Sequence, residues 1–341
     1  MHVQSLSVRL RTALGAMAAI SVLALTACSS DGGDDGGSSA SAEPMESDTG
    51  GAMMETVDVT VGVIPILDVA PLYLGISEGF FEDAGLNITT ELAQGGAAIV
   101  PGVVSGQFQF GFSNVTSLIL AESNDLGVVA VGPGGSTTGD LMNDWAAVMT
   151  LADSGISSPK DLEGKKVAVN TLNNINTSTI NKMVRDDGGD PSTITYVELA
   201  FPDIVPAVAS GDVDAGQVVE PFTTIAKGQD MVNLGSNYAA TDPNLMIAEY
   251  FTSATYAEEN PDVVEAFTTA LTQSFEYASE NPDAVRAVLA DYTSMDEATQ
   301  QAVTLLSWPS EIDANTVQLL ADLAVEDGFL TEVPDLSPLL P

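Results

Sequence analysis

Two stretches of this chain decide its fold: Ile99–Gly111 reads IVPGVVSGQFQFG, and Ile204–Gly216 reads IVPAVASGDVDAG. They lie 105 positions apart, and seven of their thirteen residues are identical. Each copy follows a β-rich run that ends in Glu-Leu, and each repeat unit opens with another strand, at Val57 and at Lys165. The chain therefore carries two similar β-α-β-α-β lobes in series. Two α/β lobes that face each other form a cleft of the kind that binds small molecules.

The length and the composition agree with two domains. At 341 residues the chain exceeds the usual size of one domain, and 45% hydrophobic residues supply two cores. We predict an α/β fold in which each lobe is an open mixed sheet flanked by helices. Crossover strands at 146–151 and 246–252 connect the lobes. Lobe I then comprises residues 57–146 and 250–341, and lobe II comprises residues 147–249.

The C-terminal part, from Glu258 onward, is predicted to be helical. The tetrapeptide Glu-Asn-Pro-Asp occurs at 259–262 and again at 280–283. In each copy we expect the Asn to cap a helix and the Pro to occupy its first turn.

The first 28 residues have the features of an export signal. Arg9 and Arg11 precede an apolar run, Ala13–Thr26, which is shorter than the ~20 residues of a bilayer-spanning helix. The run leads into Leu-Thr-Ala-Cys, which resembles the lipobox of bacterial lipoproteins, with Cys28 as the lipidated residue. A plain signal peptide with an incidental cysteine is the alternative. Residues 29–56 are rich in Ser, Gly and Asp and are expected to form a flexible tether.

The charge of the chain restricts its partners. The formal net charge is −39, which disfavours binding to nucleic acid or to an anionic membrane surface through general electrostatics. A solubilising surface coat is the simplest interpretation, and adaptation to a saline habitat is another. Neither interpretation bears on the fold.

Several kinds of catalytic site are missing from the sequence. The only histidine is His2 and the only cysteine is Cys28, and both lie in the export segment. This removes Ser-His-Asp and Cys-His catalysis and zinc sites built on His or Cys. No nucleotide-binding glycine loop is present. Paired carboxylates remain open as a catalytic possibility, but we expect no enzyme activity, no cofactor and no metal.

Many short runs of the chain together resemble one family. The runs are APLYLGISEGFFEDAGLNITTELAQGG at Ala70–Gly96, SSPKDLEGKKVAVN at Ser157–Asn170, ENPDVVEAF at Glu259–Phe267, and the two copies of the repeated phrase. They resemble the solute-binding proteins of ABC importers in the nitrate/sulfonate/taurine branch, which also contains binders of thiamine pyrimidine precursors. The resemblance covers roughly residues 57–291.

This resemblance implies a two-lobed fold of the type II periplasmic-binding-protein class. It also implies capture of a small polar organic solute, such as a sulfonate or taurine-like zwitterion or an aminopyrimidine. The expected partners are the permease and ATPase subunits of an importer and, through the lipid on Cys28, the extracytoplasmic face of the membrane. We expect a monomer. One relative in this fold is an enzyme that makes the thiamine pyrimidine, but it depends on a histidine and a cysteine-rich motif that the mature chain lacks.

The candidate ligand residues come from a rule on α/β folds. Ligands bind beyond the carboxyl ends of the strands, where helix N-termini present free N–H groups. The rule selects residues after three strands of lobe I and two strands of lobe II. They are Asp68, Ala70, Gly95, Gly96, Ser113, Asn114, Thr116, Thr171, Asn173, Asn174, Glu220 and Phe222.

Each of these residues has a purely structural alternative. The glycines serve tight turns, Ser113 and Asn114 serve as helix caps, and the asparagines of lobe II form a solvated loop. None of the basic residues after position 28 falls on a predicted cleft loop, whereas Asp68 and Glu220 do. This balance favours a ligand with an amine or several N–H donors over a bare anion.

Three functional hypotheses follow. The first is a capture protein whose lobes close about hinges at 147–150 and 247–251 and then dock on a permease. The second is a catalytic relative of the same fold, such as a pyrimidine-precursor synthase. The third is a sensory lipoprotein that has lost transport.

Overall fold

Ten strands of the computed structural model, which describes residues 56–340, form two five-stranded sheets. The first sheet and its helices are called lobe I here; its strands are β1 (Val57–Val63), β2 (Leu86–Leu92), β3 (Phe110–Asn114), β4 (Val128–Pro133) and β10 (Ala248–Ser253). The strands of the second sheet, in lobe II, are β5 (Ala146–Thr150), β6 (Lys166–Val169), β7 (Thr195–Glu198), β8 (Ala215–Val219) and β9 (Val232–Asn233). The helices are α1 (Ala70–Ser77), α2 (Phe80–Asp83), α3 (Gly96–Val104), α4 (Val115–Glu122), α5 (Ile175–Asp186), α6 (Phe201–Ser210), α7 (Phe222–Gly228), α8 (Asn237–Thr241), α9 (Ala254–Glu259), α10 (Pro261–Glu280), α11 (Pro282–Val288), α12 (Glu297–Ala302) and α13 (Ala314–Glu326).

The two sheets share one topology. Their strand orders are β2-β1-β3-β10-β4 and β7-β6-β8-β5-β9. In each sheet the first three strands are parallel, and a strand from elsewhere in the chain enters antiparallel beside them. In lobe I this strand is β10, and in lobe II it is β5. The predicted fold class, with mixed sheets and two crossover strands, is therefore confirmed.

The repeated phrase occupies equivalent places in the two lobes. Each copy supplies a helix, a turn and the start of a strand. A Cβ added to Gly111 would lie 2.6 Å from Cγ2 of Ile99, and a Cβ added to Gly216 would lie 2.3 Å from Cγ2 of Ile204. The glycine lets the helix pack closely on the sheet in both lobes. The helix-ending Gly of each copy has a φ of +76°, which glycine adopts without strain.

Lobe I is covered on one face by α1 and α10. The buried residues of α10 recur at three- and four-residue spacing, as expected for a helix with one face on a core. Phe267 of α10 stacks on Phe110 of β3 with ring centroids 3.9 Å apart. A Cβ on Gly75 of α1 would lie 1.9 Å from Oγ of Ser274, so these two helices cross at close range.

Two segments connect the lobes, at residues 134–145 and 242–247. Ser136 of the first connector forms β-bridges both to Met246 of the second and to Ser307 of the C-terminal part. Three chain segments therefore run side by side between the lobes. The C-terminal helix α13 packs against α4 of lobe I and α5 of lobe II.

Strand β3 extends to Asn114 because Ser113 and Asn114 pair with β10. One local expectation, on the caps of two helices, needs correction. The side chains of Asn260 and Asn281 do not cap the helices that follow them. Each donates instead to a carbonyl of the preceding helix, while the following Pro occupies the first turn as expected.

The predicted signal peptide, the tether and Cys28 lie outside the described residues. Within residues 56–340, no helix combines the length and the apolar character that a membrane span requires.

Candidate ligand-binding site

Side chains from both lobes enclose a cavity of about 30 Å³ at the carboxyl ends of β1, β3, β6 and β8. Apolar residues such as Ile66, Phe112 and Phe201 form part of its wall. The polar groups of its lining are Asp68, Asn114, Trp145, Asn170, Asn174, Asn176 and Tyr238. A volume of this size holds about one water molecule, so the lobes are closed on each other here.

Asp68 is the acidic residue of this cavity. It lies in a short 3₁₀ turn after β1 and is 1% exposed. Its Oδ2 has no hydrogen-bond partner among residues 56–340. Burial, and to a smaller extent the nearby carboxylate of Asp144, raises the pKa of Asp68 to about 7, although a backbone hydrogen bond opposes this rise. A buried carboxylate with a free oxygen is poised to accept a hydrogen bond from a ligand.

Asp144 is also buried, but its oxygens are occupied. It accepts hydrogen bonds from Oγ1 of Thr137 at 2.6 Å, from the backbone N–H and the hydroxyl of Thr138 at 2.9 Å, and from Oγ of Ser236 at 2.6 Å. These bonds fix the first connector to the start of α8. Asp144 therefore has a structural role, and Asp68 stands out as the carboxylate that lacks such partners.

Lobe II contributes a network of amides to the cavity. Oδ1 of Asn170 accepts from Nδ2 of Asn176 at 2.8 Å and from Nδ2 of Asn174 at 3.2 Å. The hydroxyl of Tyr238 donates to Oδ1 of Asn176. Because each amide orients the next, the network presents a fixed pattern of donors and acceptors to the cavity.

Two helix N-termini meet at the same place. Asn114 caps α4 by accepting from the backbone N–H of Ser117 at 2.9 Å, and Asn174 caps α5 by accepting from the N–H of Asn176 at 3.1 Å. The first turns of these helices carry N–H groups without intrahelical partners and a partial positive charge. Thr116 lies in the first turn of α4, and its buried hydroxyl has no partner in the described chain, but it is not among the residues that line the cavity. This end of the site suits acceptor groups on a ligand.

Other predicted residues line the contact between the lobes beside this cavity. A Cβ on Gly95 of lobe I would lie 2.6 Å from Oγ1 of Thr171 in lobe II, so only glycine fits this closed arrangement without a shift. Gly96 lies within lobe I against Ser113, whose Oγ would be 2.0 Å from an added Cβ. Ser113 donates to the backbone oxygen of Asn114 at 3.2 Å.

The structure does not bring the remaining predictions to the cavity. Ala70 is the buried first residue of α1. Asn173 is exposed and has a φ of +51°, which identifies it as a turn residue. Phe222 stacks on Phe201 with ring centroids 6.3 Å apart, behind the cavity wall.

Glu220 is buried, but both of its oxygens bind protein. Oε1 accepts from the hydroxyl of Thr224 at 2.9 Å and from the backbone N–H of Thr304 at 3.1 Å, and Oε2 accepts from the N–H of Thr224 at 3.0 Å. Burial raises the pKa of Glu220, and these hydrogen bonds oppose the rise. Contact between Glu220 and a ligand stays a prediction.

Four polar residues of the cavity were not predicted. Asn170 and Asn176 flank the segment that the strand-end rule selected, so a window wider by one or two residues includes them. Trp145 precedes β5, and its indole donates to the backbone oxygen of Ser136 at 3.0 Å. Tyr238 lies on α8, and nothing in the local sequence indicates that this helix reaches the cavity.

Comparison with known proteins finds that the chain is similar to several binding proteins and to synthases. It is 28% identical over 250 residues to a formylaminopyrimidine-binding protein of Halalkalibacterium halodurans. The aligned residues cover 72% of each chain. It is 26% identical to a taurine-binding periplasmic protein of Escherichia coli, over 55% of this chain and 56% of that protein. It is also 26% identical to a 4-amino-5-hydroxymethyl-2-methylpyrimidine phosphate synthase of Aspergillus parasiticus, over 43% of this chain and 41% of that protein.

The fold is shared with solved structures. An alkanesulfonate-binding protein of Xanthomonas axonopodis pv. citri, bound to MOPS, superposes with a TM-score of 0.70 at 17% identity. The match covers 83% of this chain and 98% of the other. A family profile described as NMT1/THI5 like matches residues 67–285, more than half of the sequence. The chain therefore belongs to the NMT1/THI5-like family.

Proposed function

We propose that this chain is the extracytoplasmic substrate-binding protein of an ABC importer. In this proposal it captures a small polar organic solute between its lobes and presents it to a membrane permease. The solute carries at least one amino group and one acceptor group, as an aminopyrimidine or a taurine-like zwitterion does. The names of the binding proteins to which it is similar support this role.

One observation carries the proposal: Asp68 is a buried carboxylate with a free oxygen in a cavity that both lobes form. An unpaired buried carboxylate lowers the stability of the folded protein. A donor group on a bound ligand would remove this cost, so such a carboxylate is expected where a ligand binds. A ligand amine or amidine edge would supply the missing donor. The N-termini of α4 and α5 would face the acceptor end of the same ligand.

The charges around the cavity favour such a two-ended ligand over a bare anion. None of the residues that line the cavity in the described chain is Lys or Arg. Helix N-termini offer only partial positive charge, and Asp68 would repel an anion when ionised. A ligand that brings its own positive charge or its own N–H donors removes this conflict.

Binding requires that the lobes move. A cavity of about 30 Å³ is too small for an organic solute of six or more heavy atoms, so the lobes must open to admit it and must settle around it. Closure is then the selection of a state that the ligand binds better. The three parallel segments between the lobes, at Ser136, Met246 and Ser307, are the natural place for this motion.

The test is a calorimetric panel on the protein with and without Asp68→Asn. The panel contains taurine, ethanesulfonate, nitrate, 4-amino-5-hydroxymethyl-2-methylpyrimidine and its N-formylated 5-aminomethyl analogue. We expect an aminated compound to bind, and we expect Asp68→Asn to weaken it about a hundredfold, because a charged hydrogen bond in a buried site is lost. Asp153→Asn, at an exposed position, is the control and should leave the affinity unchanged.

Two outcomes would contradict the proposal. Tight binding of nitrate or ethanesulfonate that is insensitive to Asp68→Asn would remove the role of the carboxylate. Conversion of a pyrimidine precursor into a new product would favour the synthases among the relatives over the binding proteins. Lipidation of Cys28 and delivery to a permease belong to the same proposal. They are tested by mass spectrometry of the membrane-bound protein and by uptake assays.

A further inference from the structure

We propose that Glu220 acts as an interlobe latch, a positioning residue that stabilises the closed state. The latch comprises Glu220 of lobe II and its two contacts in lobe I, Leu67 and Thr304. Its effect on ligand binding rests on the proposed function. Its effect on closure can be measured without any ligand.

Glu220 contacts lobe I through its side chain and through its backbone. Oε1 accepts from the backbone N–H of Thr304 at 3.1 Å. The carbonyl oxygen of Glu220 accepts from the backbone N–H of Leu67 at 3.1 Å. These two partners are 237 residues apart in sequence, and Leu67 immediately precedes Asp68. One residue at the end of β8 therefore holds two separate parts of the opposite lobe.

Within lobe II, Glu220 is held in place by Thr224, whose N–H and hydroxyl both donate to the carboxylate. The side chain is fully buried. Burial raises the pKa of Glu220, and the three donors around its carboxylate oppose this rise. When the carboxylate is ionised, its hydrogen bond to Thr304 is charge-assisted. Removal of the acceptor would leave a half-buried N–H of lobe I without a partner.

The segment that carries Thr304 also touches the connector and the candidate site. Ser307 exchanges hydrogen bonds with Ser136, at 2.8 and 3.3 Å. The indole of Trp308 donates to the backbone oxygen of Asp68 at 3.4 Å. Residues 304–308 thus join lobe II, the connector and the turn that positions Asp68. A change in the Glu220 contact would reach the ligand carboxylate through this one segment.

Disulfide trapping across the cleft provides a ligand-free test. The pair Gly95→Cys and Thr171→Cys suits it, because a Cβ on Gly95 lies 4.0 Å from Cβ of Thr171, within the roughly 3.5–4.5 Å range of disulfides. Cys28 is the only native cysteine, so Cys28→Ser leaves the new pair alone. The pair meets only when the lobes are closed, so its oxidation rate reports the closed fraction.

We expect Glu220→Ala to slow trapping about tenfold and Glu220→Gln about threefold, since a charge-assisted hydrogen bond is removed or weakened. Glu122→Gln is the control, because Glu122 is a half-buried glutamate that accepts from the backbone N–H of Val128 within lobe I, at 2.8 Å. It should leave the trapping rate unchanged. Chemical unfolding of each variant separates a loss of closure from a loss of stability.

Glu220→Gln keeps the shape of the side chain, so the test survives even if Glu220→Ala fails to fold. Trapping at the wild-type rate in a folded Glu220→Gln variant would overturn the proposal. Equal slowing by Glu122→Gln would overturn it as well, because the effect would then be general. For a ligand found in the calorimetric panel, the latch further predicts faster dissociation with an unchanged association rate. Failure of that panel alone would contradict the proposed function and leave the trapping result intact.

Discussion

The two lobes have the same strand order but different chemistry at matched positions. The β-register aligns Ser113 and Glu249 in lobe I with Val218 and Ala147 in lobe II. Lobe II thus builds the same sheet with an apolar pair where lobe I has a polar pair. The fold itself does not require polar groups at this place.

The same contrast holds at the cavity. Lobe I contributes Asp68, which lines the cavity and has one oxygen without a partner in the described chain. Lobe II contributes Asn170, Asn174 and Asn176, whose hydrogen bonds are made largely among themselves. At the cavity, the oxygen without a partner belongs to lobe I. Elsewhere both lobes bury polar atoms that have no partner in the described chain, such as Oε1 of Glu249 in lobe I and Oε1 of Gln217 in lobe II. An unsatisfied buried group in a cavity is expected where a ligand completes the structure.

The largest expected effect tests whether the lobes are equivalent in packing. Gly111→Ala and Gly216→Ala should each destabilise the protein by about 2–3 kcal/mol, because the added Cβ meets a buried isoleucine in both lobes. Denaturant unfolding measures this effect. Gly228→Ala, where an added Cβ meets nothing within 4 Å, is the control and should be near neutral. A large loss of stability in only one of the two variants would show that the helix and the sheet are not packed equivalently in the two lobes.

The next effect tests the polar pair of lobe I. Burial raises the pKa of Glu249 well above its ordinary value, and neither oxygen has a partner within residues 56–340. Below the ordinary carboxyl pKa both the folded and the unfolded states are protonated. As the pH rises above it, only the unfolded state ionises, so the folded protein loses about 1.4 kcal/mol of stability per pH unit until the folded pKa is reached.

Glu249→Gln removes this ionisation. We expect the variant to be more stable than the native protein at pH 8, and we expect the difference to shrink as the pH falls and to vanish near pH 4. Urea unfolding at several pH values measures the difference, with the exposed Glu276→Gln as the control. A variant that is less stable than the native protein at pH 8 would indicate an ionised Glu249 with a partner.

The smallest effect concerns Asp68, whose pKa of about 7 lies within the working range of most assays. Because the pKa is raised, the Asp68 side chain becomes protonated and loses its negative charge as the pH falls through 7. Affinity for a permanently cationic ligand should therefore be nearly constant above pH 8 and should fall about tenfold between pH 8 and pH 6. Calorimetry across this range measures it. In Asp68→Asn the slope should disappear, and a slope that persists would assign the titration to another group.

Much of the fold could be predicted from the sequence because the repeated phrase is a local signal. Gly106 and Gly211 end their helices in a left-handed conformation. Gly111 and Gly216 lack a side chain, which lets each helix pack closely on its sheet. The strand-end rule also selected Asp68, Asn114 and Asn174, which the structure brings to one cavity. These residues directly follow their strands, so the local strand-to-helix structure fixes their positions with few contacts from distant parts of the chain.

The rest was decided by contacts between distant parts of the chain. Tyr238 reaches the cavity because α8 packs on α5, and Glu220 is occupied because Thr304 comes beside it. Neither contact leaves a periodic or spaced pattern in the sequence.

The sequence by itself determined that two equivalent α/β lobes form and which strand ends face each other, because these follow from local patterns of glycine and apolar residues. Only the tertiary structure decided which buried carboxylate has all its oxygens bonded within the protein and which keeps an oxygen without a partner in the described chain. That distinction depends in part on hydrogen-bond donors from distant residues, such as Thr304 beside Glu220 and Ser236 beside Asp144.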